Sequence, residues 1–448
     1  MSDLLSIGAS GLRAYQSALT TVSDNIANAN TPGYSRRSTS LAEVAPSNGV
    51  LTSQRVVTGN GVVVTGVARA DDPLRTAAVR TAEADLGRTE ASIDALSAIE
   101  SSLTGSDIAG ALSSFFNAFR TVAADPTASA PRAAAIESAS RVATAFATTG
   151  RALDQASADL DSTAEGAVSS IDTLAASIAR VNNGLARSAD GSAARASLLD
   201  QRDQRLNELS GLTDIGVTTD AIGRATVTIG GNSGPVLVSG TEAGNVTFVR
   251  GTTGPASFSV FRAGVSTSIT PTGGTLAGIA ESAQRISDTR GALNQIASDF
   301  TTGENAVQAQ GRDLDGAPGA ALFAIGTTPT DISITLSSPR GIAAAAVGGG
   351  PRDNANLTAL EALRSSGAFE SATSNLIAEN GATLQGRRTV ADAQGAIRDG
   401  AVTARDSVSG VNLDTEALDL LRFQQAYQAS SRVIQLARET FQSLLDIV

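Results

Sequence analysis

LDTEALDLLRFQQAYQASSRVIQLARETFQSLLDIV, residues 413–448, places an apolar side chain at every seventh position: Leu413, Leu420, Tyr427, Ile434, Phe441 and Val448. Phe423, Ala437 and Leu444 form a companion series three places on. Two such rows make the a/d seam of a helix built to pair with another helix. Asp414 is the expected N-cap, with Glu416 in the positive field of the first turn.

The opposite end of the chain follows the same pattern. Leu5, Leu12, Leu19 and Ile26 recur every seven residues, with Tyr15, Val22 and Ala29 on the companion series, which predicts a helix over residues 4–29. It must stop before Thr31-Pro32-Gly33, because proline disfavours helical backbone at Thr31, and Pro-Gly supplies the central pair of a type II turn closing at Tyr34. Leu5, Leu12, Tyr15, Leu19, Val22, Ile26, Leu413, Leu420, Phe423, Tyr427, Ile434, Ala437, Phe441 and Leu444 are therefore the candidate assembly interface. Thr31, Pro32, Gly33 and Tyr34 are its linker turn. One seam with one partner offsets little of the entropy lost on ordering the chain, so both ends are expected to be mobile in the monomer and to order on assembly.

Between the ends the periodicity changes several times. Residues 34–72 read as extended, with β-branched runs Val50–Val57 and Val62–Val67 on either side of Thr58-Gly59-Asn60-Gly61, a hairpin signal. From Pro73 to about Gly211 the chain is Ala-rich and helical. Its strongest run sets Leu153, Leu160, Ala167, Leu174 and Val181 on one series and Ala164, Ile171, Ile178 and Leu185 on another, which predicts a long rod. Near Asp214 the period becomes two, as in Ala225–Ile229 and Ser257–Phe261, and helical spacing returns from Leu276 to Gln310. One strand, Ile332–Leu336, precedes helices from about 355 to 411.

The expected fold is mainly α with inserted β: an elongated, multi-domain chain with terminal coiled-coil helices, a helical bundle and a small antiparallel β domain. Its parts are a terminal assembly domain (1–36 and 413–448), a hairpin connector (37–72), a bundle (73–212, 273–312 and 352–412) and a β domain (213–272 and 313–351). With 3% aromatic residues and no Trp, the core is expected to rely on small side chains in close helix contact.

Composition also narrows the chemistry. Cys and His are absent, which removes thiolate nucleophiles, imidazole bases and nearly all zinc sites with N or S ligands. The net charge is −11 and all 33 basic residues are scattered Arg, so nucleic acid is not an expected partner. The apolar run Ile342–Val347 is too short for membrane insertion, and the N-terminus lacks a basic region before an apolar one, which speaks against a Sec-type signal. Asp313-Leu314-Asp315-Gly316 lacks calcium-loop spacing, and Gly59-Asn60-Gly61 and Gly348-Gly349-Gly350 lack a phosphate-loop arrangement. No catalytic residue, cofactor or metal is expected, and the Asp and Glu residues read as solvated helix surface.

Ala9-Ser10-Gly11-Leu12-Arg13-Ala14 and Asn25-Ile26-Ala27-Asn28-Ala29-Asn30-Thr31-Pro32-Gly33-Tyr34-Ser35-Arg36 resemble the N-terminal motif of flagellar rod, hook and hook-associated proteins. Ser409-Gly410-Val411-Asn412-Leu413-Asp414, with Phe423-Gln424-Gln425-Ala426-Tyr427-Gln428-Ala429-Ser430, resembles the matching C-terminal motif. Phe115-Phe116-Asn117 leading to Asp125-Pro126, Leu198-Leu199-Asp200-Gln201-Arg202-Asp203, and Gly273-Gly274 leading toward Asp313-Leu314-Asp315-Gly316 point to the hook-associated branch. Asp24 stands where that pattern commonly has Asn, and Arg37 where it has Gln.

The resemblance implies a structural subunit of the hook-filament junction, secreted into the extracellular flagellum. A terminal-helix domain would line the axial channel, and the β domain would face outward. Implied partners are further copies of the chain, the hook protein, a second junction protein, and an export chaperone that binds the C-terminal region, together with the flagellar type III export apparatus. The chain is short for the group, so one modest β domain is expected instead of two. Another axial protein of hook or filament type, or a secreted adhesin or needle-tip protein, is the alternative; the paired terminal motifs speak against the last two.

Overall fold

The computed structural model describes residues 2–44, 61–250 and 254–445. Helix α1 (Ser2–Ala27) leads into a two-stranded ribbon, β1 (Arg37–Glu43) and β2 (Val62–Arg69). Four helices follow: α2 (Pro73–Thr104), α3 (Ile108–Ala124), α4 (Ser129–Arg187) and α5 (Ala193–Leu212). The start of α2 is fixed locally: Asp72 accepts hydrogen bonds from the backbone N–H groups of Leu74 and Arg75, and Pro73 fills the first helical position. Helix α4 has 59 residues, or about 88 Å at the ~1.5 Å rise per residue of an α-helix. Leu153, Leu160, Ala164, Ala167, Ile171, Ile178, Val181 and Leu185 form its buried line, as their spacing requires.

The period-two region forms seven strands. They are β3 (Ile215–Thr219), β4 (Ala225–Ile229), β5 (Val236–Ser239), β6 (Glu242–Ala243), β7 (Asn245–Arg250), β8 (Ala256–Arg262) and β9 (Val265–Ile269). β3-β4-β5-β6 is one antiparallel sheet and β7-β8-β9 another. In β4, Ala225, Val227 and Ile229 point inward and are fully buried. Asn182 of α4 ties the first sheet down by donating to the carbonyls of Ala225 and Gly240, both at 2.8 Å, while accepting from the Ala225 N–H.

Helix α6 (Gly274–Gln310), β10 (Phe323–Ile325), β11 (Ile332–Ile334), α7 (Ala355–Gly367), α8 (Phe369–Ser409) and α9 (Leu413–Leu445) complete the chain. The 313–351 segment does not join the other strands as expected. Its β10–β11 hairpin packs on α4 and α6. Polar side chains hold this segment: Asn305 bonds the backbone at Leu322 and Phe323, and Gln308 accepts from the Ala343 N–H. Arg132, 1% exposed, donates to the carbonyls of Pro126 and Ile342. The expectation of a core without large anchors also fails in one place. Phe115, Phe116, Phe119, Phe146, Phe300, Phe323 and Phe369 are all buried and meet in one cluster, with Phe115 and Phe119 centroids 4.6 Å apart. The few aromatics are concentrated where α3, α4, α6 and α8 converge.

Two local expectations change. β2 pairs with Arg37–Glu43, in register Arg37↔Arg69, with an irregularity between Ser40 and Leu41. The Val50–Val57 run expected as its partner, and Thr58-Gly59-Asn60 of the expected turn, lie outside the described residues. β1 was hard to read because a half-exposed ribbon has no buried face to impose strict apolar alternation. The N-cap of α9 is Asn412, whose Oδ1 accepts from the N–H groups of Asp414 and Thr415 at 3.0 and 3.1 Å; Asp414 already lies inside the first turn. No helix among the described residues is long and apolar enough to cross a membrane.

Candidate assembly interface

The two chain ends lie against each other. A Cβ placed on Gly8 would stand 2.7 Å from Ile434 Cγ1, and one on Gly11 would stand 2.9 Å from Ser430 Oγ. The Tyr15 and Phe423 rings are 6.4 Å apart, and Asn25 reaches Glu416. Partners descend along α9 as they ascend along α1, so the pair is antiparallel. The buried line of α1 is small or polar: Gly8, Gly11, Ala14, Ala18, Thr21, Val22 and Asn25. These residues let the two backbones approach, while Leu5, Leu12, Tyr15 and Leu19 flank the contact half-buried.

On α9, Ala437 is buried and Leu420, Phe423, Tyr427 and Ile434 are half-buried. Three candidate residues are exposed instead: Ile26, Leu413 and Phe441. A straight helix turns ~20° away from a seven-residue repeat per heptad, and Ile26 is three heptads from Leu5. In the antiparallel register, Leu413 falls opposite the stretch after α1 has ended, and Phe441 falls opposite its first residues. Leu444 lies in α9, and its side chain is outside the described residues. Thr31, Pro32 and Gly33 are exposed. Gly33 has φ +79°, and the Tyr34 N–H reaches the Thr31 carbonyl at 3.1 Å, which makes the expected type II turn.

The far side of α9 carries a second apolar face, with Leu418 69%, Leu421 56% and Leu436 62% exposed and Val433 beside them. Heptad counting from Leu413 passes over it, although Leu418 and Leu421 are three places apart and Leu436 lies a whole number of turns from Leu418.

At the root of the pair, polar side chains join segments that are remote in sequence. Asn25, fully buried, donates to the Arg37 carbonyl at 2.7 Å and to Glu416 Oε2 at 2.9 Å. Its Oδ1 accepts from Tyr34 Oη at 2.8 Å and from the Arg37 N–H at 3.0 Å. Burial raises the Tyr34 phenol above its ordinary pKa, against the pull of the Arg37 guanidinium, so it stays a donor. Glu416, 0% exposed, also takes Arg36 Nε at 2.6 Å. Arg37 stacks 4.7 Å from the Tyr34 ring centre and reaches Asp200 of α5 at 2.9 Å. Arg69 bonds Asp200 at 2.7 Å and Asp203 at 2.6 Å. Burial acts to lower the Arg69 pKa, but Asp203 and Asp200 outweigh it and the net shift is upward. A cleft of about 520 Å³ opens beside this cluster, between residues 29–35, α5 and the end of α8.

Glu416, Asp200, Asp203 and Arg69 were not among the residues picked from the seams. Their traces in the sequence are slight: Asp200 and Asp203 sit in one of the interior motifs, and Glu416 reads only as a favourable charge in the first turn of its helix. Among the described residues no group of three or more acidic side chains is placed to hold a metal ion.

The family described as flagellar hook-associated protein FlgK helical domain matches residues 94–323. The flagella basal body rod protein family matches residues 5–34, and the flagellar basal body rod FlgEFG protein C-terminal family matches residues 404–447. Flagellar hook-associated protein 1 of Salmonella typhimurium is 27% identical over 559 aligned residues, covering 100% of both chains. The protein of that name from Bacillus subtilis is 24% identical, over 97% of this chain and 96% of its own length. Among solved structures, the flagellar hook junction protein FlgK from Burkholderia pseudomallei shares the fold at a TM-score of 0.50 and 23% identity, over 55% of this chain and 46% of that one.

Proposed function

The chain belongs to the FlgK family of flagellar hook-associated proteins, and from that premise we propose that it works at the hook-filament junction as a polymerising structural subunit with no catalytic role. The observation that carries the assembly mechanism is the two-faced α9. One face is spent inside the chain on α1, and the other, at Leu418, Leu421 and Leu436, is left for a neighbour. Burying such side chains contributes ~1.5–3 kcal/mol each, so a few per contact, repeated around a ring, suffice to hold a polymer. The neighbours are further copies of this chain and, at the two ends of the zone, the hook protein and a second junction protein. Family membership is the support for export through the flagellar type III apparatus with a chaperone on the C-terminal region, and for a mature protein in the extracellular flagellum.

Electron microscopy of cells lacking the protein tests the function: bare hooks are expected, with filament protein lost to the medium. The intact gene should restore filaments. A Leu418→Asp, Leu421→Asp, Leu436→Asp variant should be exported, stay soluble and fail to restore them. Normal filaments without the protein would overturn the assignment, and rescue by the triple variant would overturn the interface.

A further inference from the structure

The terminal helix pair meets the rest of the molecule through a narrow neck. α1 and α9 pack chiefly on each other, α1 also packs on the β1–β2 ribbon, and the ribbon meets the body at α5. Just before α5 the Val67 N–H donates to the Gly191 carbonyl at 2.7 Å, where the Gly66 and Gly191 backbones leave no room for a Cβ, and Arg37 and Arg69 make charged contacts to α5 itself. A cleft of about 520 Å³ opens beside the neck, and among the described residues the contacts placed to hold the pair at its angle are chiefly polar.

The charged contacts are arranged to do so. Arg37 and Arg69 face each other directly across the ribbon, a placement that like charges destabilise. Asp200 removes the conflict by accepting from both, Arg37 through Oδ2 at 2.9 Å and Arg69 through Oδ1 at 2.7 Å. Seating the root of the ribbon on α5 thus relieves the repulsion, with Asp203 and, at 3.7 Å, Asp71 adding to the relief at Arg69. At the other end of the neck, Glu416 is enclosed, with Asn25 of α1 on one oxygen and Arg36 of the connector on the other. A buried carboxylate that loses its partners is strongly unfavourable, so α9 cannot turn about the connector without giving up both bonds. The Arg36 N–H to Ser409 carbonyl bond, 2.8 Å, closes the two chain crossings against each other.

We propose that Asp200 and Glu416 are the two pins of an orientation lock, which sets the angle of the terminal helix pair to the helical body with the ribbon as the lever between them. The lock belongs to the single chain and does not depend on polymerisation.

Because the chain has no Cys, introduced cysteines are the only label sites. Spin labels at Gln425→Cys and Ser162→Cys, both exposed, report the angle by pulsed electron resonance. Labels at Gln16→Cys and Gln425→Cys report whether α1 and α9 stay paired. The parent should give a single narrow distribution for both. Asp200→Asn, nearly isosteric, should widen the body-to-helix distribution at least twofold and leave the helix-to-helix distance alone; Glu416→Ala, which also removes the Asn25 contact between α1 and α9, should widen the body-to-helix distribution by as much. Adding Arg37→Gln to Asp200→Asn should narrow the distribution again, because it removes one of the opposed cations; a role in packing alone would not give that recovery. The lock is refuted if both variants keep the parental width with full helical content, if the helix-to-helix distance widens in step in Asp200→Asn, or if Arg37→Gln broadens the Asp200→Asn distribution further.

Discussion

Glu304 lies on the face of α6 that carries Phe300 and Val307 into the bundle, and it is 0% exposed. One carboxyl oxygen accepts from Gln308 at 3.1 Å, and the other has no partner. Burial therefore pushes its pKa from 4.5 to about 8, against the smaller pull of the Gln308 bond. The folded chain keeps a proton that the unfolded chain releases between those two values, so stability falls as pH rises from 4.5 to about 8 and is level above. Each unit of displacement is worth ~1.4 kcal/mol. Glu304→Gln, a mimic of the neutral acid, should flatten this slope. Melting curves should show a gain of several degrees at pH 8 and almost none at pH 5; equal gains at both would mean the carboxyl is ionised in the fold. None of this was legible in the sequence. Glu304 is one of 44 Asp and Glu in the chain, and its burial comes with tertiary packing around α6, where the 340s segment is held by Gln308.

At the scale of elements, the sequence was most informative where burial is periodic and one-sided. The long line of α4 from Leu153 to Leu185 could be read directly, because consecutive turns meet a continuous neighbour. The seams of α1 and α9 could be read as seams, but their partner could not: a heptad row does not say whether the facing helix belongs to the same chain. Gly8 against Ile434 answers that for Ile434, and it separates two kinds of substitution. Ile434→Asp strikes the contact within the chain and should cost ~2 kcal/mol or more, loosening the pair in the monomer before any assembly. Leu436→Asp, on the open face, should leave the monomer unchanged and weaken polymerisation alone. Circular dichroism of the monomer, followed by a sedimentation assay of polymer, distinguishes them; identical behaviour of the two variants would mean that α9 has a single working face.

For the whole molecule, the parts that escaped the sequence are those joined across long separations. The 313–351 segment is strand-like and Gly-rich in isolation, yet Asn305, Gln308 and Arg132 hold it to the bundle. Asn25 and Glu416, 391 residues apart, meet without any local signature. That meeting also changes what is expected of free termini. Mobility along their whole length would need both ends of the pair to be loose, whereas the neck end is closed by Val22, Asn25 and Glu416, all buried. The far end rests on Gly8, Gly11 and Ala14, which bury little apolar area, and its apolar side chains at Leu4, Leu436 and Phe441 are exposed. Local opening follows such differences in buried contact. Amide exchange of the monomer should therefore be graded, with residues 22–27 and 416–423 protected and residues 4–11 and 430–443 exchanging on the order of 100-fold faster than the buried line of α4. Polymerisation should slow the far end to the level of the neck. Uniform protection in the monomer would show that the pair is complete without neighbours, and uniformly fast exchange would show that the neck does not hold.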